Sequence, residues 1–264
     1  MGYPIKRSLS RYMHDAAFEH LGIDATYLPF EVEPGQVEIA IQDWLATGVQ
    51  GGNVTIPHKE TVASVLTRLE GDAAKLKTVN TLVREGDEYV GYTTDGDGFV
   101  NSLKEQGIEV NGKEVALLGA GGAAKSIASA LLRNDVKELV VINRTTARAQ
   151  ELIDELDSGK TGAMEDVSDA DLIVNATSLG MGADYLPPEL NQVVENLSEH
   201  QIVADIVYVP RDTALLRAAR ERGAKTIDGL GMLLHQAALA FELWTKQPPP
   251  LEVMRNALLI AAEK

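Results

Sequence analysis

Val115-Ala116-Leu117-Leu118-Gly119-Ala120-Gly121-Gly122-Ala123-Ala124 passes from four apolar residues into a cluster of small ones, and a helix-forming stretch follows to about Leu132. That order reads as strand, tight turn, helix. In this setting Gly119-x-Gly121-x-x-Ala124 has the parts of a dinucleotide-binding turn. One glycine makes the bend, a second lets a pyrophosphate approach the backbone, and a small residue packs helix on sheet. An ordinary βα turn would carry the same glycines; the apolar strand before them and the helix after them favour the nucleotide. Working outward, Leu139 to Ile142, Asp171 to Val174 and Ile202 to Val207 are further apolar runs with helical stretches between them. Strands alternating with helices imply a parallel, doubly wound sheet.

The first hundred residues alternate less regularly. They read as a helix around His14 to Leu21, a strand around Thr26 to Phe30, a helix from Gln36 to Thr47 and a strand at Asn53 to Ile56. Gly86, Gly91, Gly96 and Gly98 make the stretch before Phe99 rich in turns, and the crossover between domains is placed there. From Gly229 the chain is helical, broken by Pro248-Pro249-Pro250, with a last amphipathic helix from about Leu251 to Ala262. The expected fold is α/β with two domains: residues 1–97 with 237–264 as one, and 98–236 as a Rossmann domain.

At 264 residues and 45% hydrophobic content the chain can bury a substantial core. It has no cysteine, which excludes disulfides and thiolate chemistry and fits a cytoplasmic setting. A formal net charge of -15 argues against nucleic acid or an anionic membrane as partner, because either would repel the chain at long range. A substrate anion must therefore meet locally placed cations or donors. No apolar run approaches the roughly 20 residues that span a bilayer, and Met1-Gly2-Tyr3-Pro4 has neither the layout of a signal peptide nor a clear acylation context. No metal is expected: the histidines lack ligand spacing, and His14 and His58, on different elements, read as helix-surface or supporting residues.

After its second strand a dinucleotide-binding sheet that takes NAD usually places an acid, which holds the ribose 2′-hydroxyl. Here that neighbourhood reads Asn143-Arg144-Thr145-Thr146-Ala147-Arg148. Two guanidiniums and a hydroxyl suit a 2′-phosphate, pointing to NADP; the alternative is a solvated face of the next helix. In the other half, Asn53-Val54-Thr55-Ile56-Pro57-His58-Lys59-Glu60 brings a lysine and several hydrogen-bonding groups to the end of a strand. Ligands collect at such ends in open α/β sheets. Lys59 is the candidate for proton transfer, although a lone lysine is more often a solvated surface charge.

Asn53 to Glu60 is joined along the chain by Val79-Asn80-Thr81, Thr94-Asp95-Gly96-x-Gly98, the Gly119 to Ala124 turn, Asn143-Arg144-Thr145, Asn175-Ala176-Thr177-Ser178-x-Gly180-Met181 and Gly229-x-Gly231-Met232-Leu233-x-x-Gln236. Together these blocks, in this order and spacing, closely resemble the shikimate dehydrogenase family over nearly the whole chain. The resemblance implies that Lys59 and Asp95 are the catalytic pair. It puts Ser8, Ser10, Thr55, Asn80, Tyr208 and Gln236 around the substrate with them. Serine hydroxyls suit a carboxylate, while amides and a carboxylate can share donor and acceptor duties around ring hydroxyls. Turn capping and ordinary backbone bonding are the plainer readings of the serines and amides. By the same resemblance Gly119, Ala120, Gly121, Gly122 and Ala123 hold pyrophosphate, Asn143, Arg144, Thr145 and Arg148 hold the ribose phosphate, and Thr177, Ser178, Gly229 and Met232 line the nicotinamide side. Taken alone, Met232 reads as a core residue.

The implied reaction is reversible NADPH-dependent reduction of 3-dehydroshikimate to shikimate, on the route to chorismate and the aromatic amino acids, by a monomer or homodimer. Two alternatives stand beside it: an NAD-preferring quinate/shikimate dehydrogenase, against which Asn143-Arg144-Thr145 speaks, and a non-catalytic NADP-binding sensor, against which the presence of Lys59 and Asp95 speaks. The N-terminus departs from the family pattern. An apolar first strand is not evident, and Arg7, Arg11 and Asp15 stand where His, Pro and Asn are usual. The two arginines either strengthen carboxylate binding beside Ser8 and Ser10 or are solvated charges. The recorded start is expected to lack a few native residues or to have been altered. Backbone groups around Asn53 to Ile56 and Thr26 to Phe30 are then left open, and this half is the less stable.

Overall fold

The computed structural model describes residues 1–6 and 8–263, so Arg7, singled out above, lies outside the described residues. One unit of the fold comprises Met1–Gly98 with Leu234–Lys264, the other Phe99–Leu233. Gln236 therefore belongs with the N-terminal residues.

In the first unit come α1 (Ser10–Leu21), α2 (Val37–Ala46), β1 (Gly51–Asn53), α3 (Lys59–Val65), β2 (Arg68–Leu69), α4 (Asp72–Leu76), β3 (Thr81–Glu85), β4 (Glu88–Tyr92) and the start of α5 (Asp95–Glu105). The strands lie in the order β1-β3-β4-β2, antiparallel except where β2 meets β4. Trp44, Val54, Val62, Leu82 and Tyr89 share its core. Successive residues of a strand face opposite sides, and β1 exploits this with two glycines. A Cβ on Gly52 would lie 2.7 Å from the Trp44 ring, and one on Gly51 would lie 2.6 Å from Nε1 of Trp244. The Trp244 indole N–H in turn donates to the Leu82 carbonyl at 2.8 Å.

Several details differ from the sequence reading. Thr26 to Phe30 forms no strand, and the strand expected at Asn53 to Ile56 ends at Asn53. Past Asn53 the segment changes partner, with Val54 N–H going to the Asn80 carbonyl and Thr55 N–H to that of Met1. Several of the backbone groups expected to lie open are paired. Met1–Tyr3 runs between the two segments, with Gly2 N–H bonded to the Phe30 carbonyl, Val32 N–H to Gly2, Thr55 N–H to Met1 and Tyr3 N–H to Ile56. The glycine-rich stretch before Phe99 is a hairpin turning at Gly86; Gly91 lies inside β4, and Gly96 and Gly98 open α5.

The second unit holds β5 (Glu114–Leu118), α6 (Gly122–Arg133), β6 (Glu138–Ile142), α7 (Thr146–Leu156), β7 (Lys160–Thr161), β8 (Leu172–Asn175), α8 (Pro188–Glu195), β9 (Ile202–Asp205), α9 (Ala214–Glu221), β10 (Lys225–Ile227) and the start of α10 (Leu230–Thr245). Its six strands are all parallel, in the order β10-β9-β8-β5-β6-β7. This is the doubly wound order 3-2-1-4-5-6, whose direction reverses between β5 and β8. Val115 to Leu118 are at most 2% exposed, as expected of a strand covered on both faces.

The chain ends in α11 (Leu251–Ala262), which packs along α1 in the first unit. Neither His14 nor His58 is on the surface. His58 Nε2 lies 2.6 Å from the Val32 carbonyl, while His14 sits with its ring centroid 4.7 Å from Tyr27 and 4.9 Å from Trp244. Among the described residues neither His14 nitrogen has a hydrogen-bond partner. Burial is the largest influence on the imidazole and lowers its pKa to about 3, with the Asn53 side chain and the charge of Asp15 opposing the shift. A depressed pKa means that the folded state binds fewer protons than the unfolded one. Stability from the neutral ring is therefore present above the ordinary value near 6.5 and drains away as pH falls toward 3. His14→Phe is expected to gain on the parent by about 1.4 kcal/mol per pH unit through that window. Denaturant titrations at pH 7, 5.5 and 4.5 measure the difference, and a gap that does not widen on acidification contradicts the assignment.

Candidate active site

Lys59 opens α3 and Asp95 opens α5. A carboxylate at a helix N-terminus suits the helix dipole and an ammonium does not, so Lys59 depends on Asp95 for compensation. Lys59 Nζ lies 2.5 Å from Asp95 Oδ2, with the two side chains 15% and 6% exposed. The other carboxylate oxygen, Oδ1, accepts from Asn80 Nδ2 at 2.8 Å. The Asn80 amide is held in one orientation, since its Oδ1 accepts the Thr94 N–H at 2.8 Å and the Thr81 hydroxyl at 2.9 Å. Its Nδ2 also reaches Thr94 Oγ1 at 2.9 Å and Gln236 Oε1 at 3.4 Å.

Backbone bonds set the frame for these side chains. Val79 N–H donates to the Lys59 carbonyl, Asn80 N–H to Tyr92 and Val54 N–H to the Asn80 carbonyl. Gln236 arrives from α10 at a point where Gly98 leaves room, because a Cβ on Gly98 would lie 2.6 Å from the Gln236 backbone nitrogen. Thr94 Oγ1 donates to the Gln236 carbonyl at 3.0 Å. Lys59, Asn80, Asp95 and Gln236 thus form one connected group. Thr94 and Thr81, which the sequence reading passed over, belong to it; each adjoins a residue already singled out, and that adjacency was the available signal.

Ser8, Ser10 and Thr55 belong to the same unit, but their hydrogen bonds run elsewhere. Ser8 Oγ accepts from Ser10 N–H at 3.4 Å ahead of α1, and the Thr55 carbonyl accepts from His58 N–H at 2.9 Å. Arg11 takes the solvated course of the two expected. Its side chain, 53% exposed, pairs at 3.0 Å with Asp15 one helical turn on, and Asp15 also accepts the Tyr27 N–H at 2.7 Å.

In the second unit the turn after β5 has the features an anion needs. Gly119 has φ +110°, a conformation L side chains rarely adopt, and a Cβ there would lie 3.1 Å from the Ala176 carbonyl oxygen. Gly121 faces open space. α6 begins at Gly122 with no side-chain cap at its N-terminus, so the first-turn N–H groups around Gly122 and Ala123 suit a phosphate. Ala120 is buried between these glycines. After β6, Asn143 Nδ2 donates to the Thr145 carbonyl at 2.9 Å, and Arg144, Thr145 and Arg148 are exposed at the start of α7. Thr177 and Ser178 follow β8. Gly229 lies where a Cβ would meet the Ile206 carbonyl oxygen at 2.5 Å, and Met232 is 7% exposed. Tyr208 is half-buried, and burial raises its phenol above the ordinary value.

Among the described residues no three His, Asp or Glu side chains gather as a metal site requires, and no helix is long and apolar enough to cross a membrane.

A doubly wound sheet with an open glycine turn, on one chain with a buried lysine–carboxylate pair, defines a dinucleotide-dependent oxidoreductase. Residues 1–82 match the family model described as shikimate dehydrogenase substrate binding domain, 102–231 that of shikimate / quinate 5-dehydrogenase and 229–259 that of shikimate 5'-dehydrogenase C-terminal domain. A shikimate dehydrogenase (NADP+) from Symbiobacterium thermophilum is 42% identical, covering 100% of this chain and 93% of its own length. The crystal structure of shikimate 5-dehydrogenase from Thermus thermophilus with NADP(H) and shikimate superposes with a TM-score of 0.90 at 33% identity, over 98% of this chain and 97% of that one. Quinate dehydrogenase from Corynebacterium glutamicum with NAD gives 0.88 at 31%, over 98% and 96%. The chain belongs to the shikimate dehydrogenase family.

The contact at Gly98 is with helix backbone, which cannot rotate aside. Gly98→Ala is expected to cost about 1–3 kcal/mol of unfolding free energy and to move the Gln236 side-chain amide resonances. A urea titration and an amide NMR spectrum check both, and an unchanged spectrum would show that the two backbones have slack between them.

Proposed function

We propose that this chain catalyses the reversible NADPH-dependent reduction of 3-dehydroshikimate to shikimate, as a monomer or homodimer in the cytoplasm. The observation that carries the reading is the Lys59–Asp95 pair clamped by Asn80. When bound, the dinucleotide supplies the hydride chemistry. Lys59 Nζ is the proton donor to the carbonyl oxygen as the ring carbon is reduced, and it recovers its proton from solvent. In the reverse direction the same nitrogen takes the proton from the hydroxyl. Asp95 holds Nζ in place, and Asn80 keeps the carboxylate from turning away. Ser8, Ser10 and Thr55 serve the substrate carboxylate, Gln236 and Tyr208 its ring side, with Asp95 sharing a hydroxyl.

The nucleotide reading is supported by the open space at Gly121 and the uncapped start of α6. Gly119, Ala120, Gly121, Gly122 and Ala123 hold the pyrophosphate, and Asn143, Arg144, Thr145 and Arg148 the 2′-phosphate. Thr177, Ser178, Gly229 and Met232 line the nicotinamide side. Exposed arginines after β6, in the place of an acid, favour NADP over NAD. Assaying NADP- and NAD-linked oxidation of shikimate and quinate side by side tests the whole reading, and a preference for NAD with quinate overturns it.

Lys59→Ala and Asp95→Ala are each expected to lower kcat about a hundredfold or more, with the NADP+ dissociation constant unchanged. Turnover near the parent's in either variant refutes the pair. Replacing Arg144 and Arg148 together by Ala should weaken NADP+ binding by about tenfold to a hundredfold, the worth of lost charge-assisted bonds. NAD+ binding should stay within about twofold, because it carries no 2′-phosphate. Two binding titrations decide the matter, and equal weakening would place the arginines elsewhere on the nucleotide.

A further inference from the structure

β8 and β9 are neighbours in register, and each ends on a polar residue, so Asn175 and Asp205 stand side by side at the carboxyl edge of the sheet. They are 0% and 1% exposed. Asp205 Oδ1 accepts from Asn175 Nδ2 at 2.9 Å and from the Val207 N–H at 3.1 Å, while Oδ2 accepts the Thr213 hydroxyl at 2.7 Å. Asn175 Oδ1 accepts both the Thr177 hydroxyl at 2.6 Å and the Thr177 N–H at 3.2 Å. Thr177 Oγ1 then accepts the Leu179 N–H at 3.1 Å. Every bond in this series has a fixed direction. The carboxylate can only accept, which turns the Asn175 NH2 toward it and the Asn175 oxygen toward Thr177. The Thr177 hydroxyl spends its one proton on Asn175 and offers its lone pair to Leu179.

The series reaches the loop that borders the glycine turn and the loop that borders Gly229. Ala176 and Thr177 lie against Gly119, where a Cβ would meet the Ala176 carbonyl oxygen at 3.1 Å and Thr177 Cγ2 at 3.2 Å. Val207, bonded to the same carboxylate, lies with Ile206 against Gly229.

We propose that Asp205 is a positioning residue for the dinucleotide: acting through Asn175, it fixes the loops after β8 and β9 against Gly119 and Gly229 and so sets how tightly NADP(H) is held. The proposal rests on the NADP reading above. A purely structural role fits the charge poorly. Burial raises the Asp205 carboxyl to about 6 in spite of its three donors, so the ionised form is costly to the fold at neutral pH, and a neutral residue would stabilise the sheet as well.

The test separates affinity from stability. An amide at position 205 could still accept from Asn175, so the acceptor itself is removed: Asp205→Ala is expected to keep a thermal midpoint close to the parent's, since the desolvation cost of the carboxylate goes with it, while its NADP+ dissociation constant rises about tenfold. Asn175→Ala, which removes the link between Asp205 and Thr177, should give a similar rise. The double variant should be no weaker than the weaker single one, because both changes break the same series. An Asp205→Ala protein with the parent's dissociation constant overturns the proposal, as does a loss of affinity matched by a collapse of the midpoint, or additive losses in the double variant. Should Asp205→Ala not fold, Asn175→Ala decides alone, and a dissociation constant equal to the parent's sinks the idea. A parent chain that binds no NADP+ overturns the cofactor reading itself, and that result is distinct from variants that match a binding parent.

Discussion

A lysine and an aspartate that are both largely withdrawn from water cannot be parted cheaply. Removing one partner of such a pair typically costs about 3–5 kcal/mol, because the other charge is left uncompensated. Lys59 and Asp95 lie thirty-six residues apart, on the first turns of two helices, and their meeting brings the starts of α3 and α5 together. Asn80 adds the segment before β3, and Gln236 adds α10. Much of the first unit can thus be understood as the set of chain paths that let this pair form. β1 passes between two indoles because it has no side chains there, β3 and β4 make a hairpin that brings Asn80 beside Thr94, and Gly98 admits the backbone of α10.

The second unit was the more legible in the sequence, for a physical reason. A parallel strand covered on both faces is a short unbroken apolar run, and such runs at Val115, Leu139, Asp171 and Ile202 lie close to the observed strands. The first unit is a mixed sheet of short strands, two of them only two or three residues long, and strands that short carry no periodicity. That is why β1 and β2 left little pattern to read, while β3 and β4, at five residues each, were obscured by Gly86 between them and Gly91 inside β4; Thr26 to Phe30 has the residues of a strand but forms none. His14 misled in another way. A polar residue on a helix suggests a surface, and only the tertiary fold reveals that Tyr27 and Trp244 enclose it.

Lys59, Asn80, Asp95 and Gln236, which the fold brings together, were legible because each falls in a compact motif. Their partners were not. Asn175 and Asp205 are thirty residues apart, one opening a motif and the other inside an apolar run; only the adjacency of β8 and β9 makes them a pair. Charge shows the same limit. The net -15 speaks of the surface as a whole, whereas a phosphate bound to any protein is met by a few local N–H groups and cationic side chains.

The two indoles that flank β1 have a spectroscopic consequence. They are the only tryptophans in the chain, and both lie in the first unit, so intrinsic emission excited at the red edge reports on that unit alone. The doubly wound unit is dark at those wavelengths. A change in emission during denaturation therefore follows the packing around β1, while far-ultraviolet circular dichroism follows the helices of both units, and any divergence between the two signals measures how far the units unfold independently.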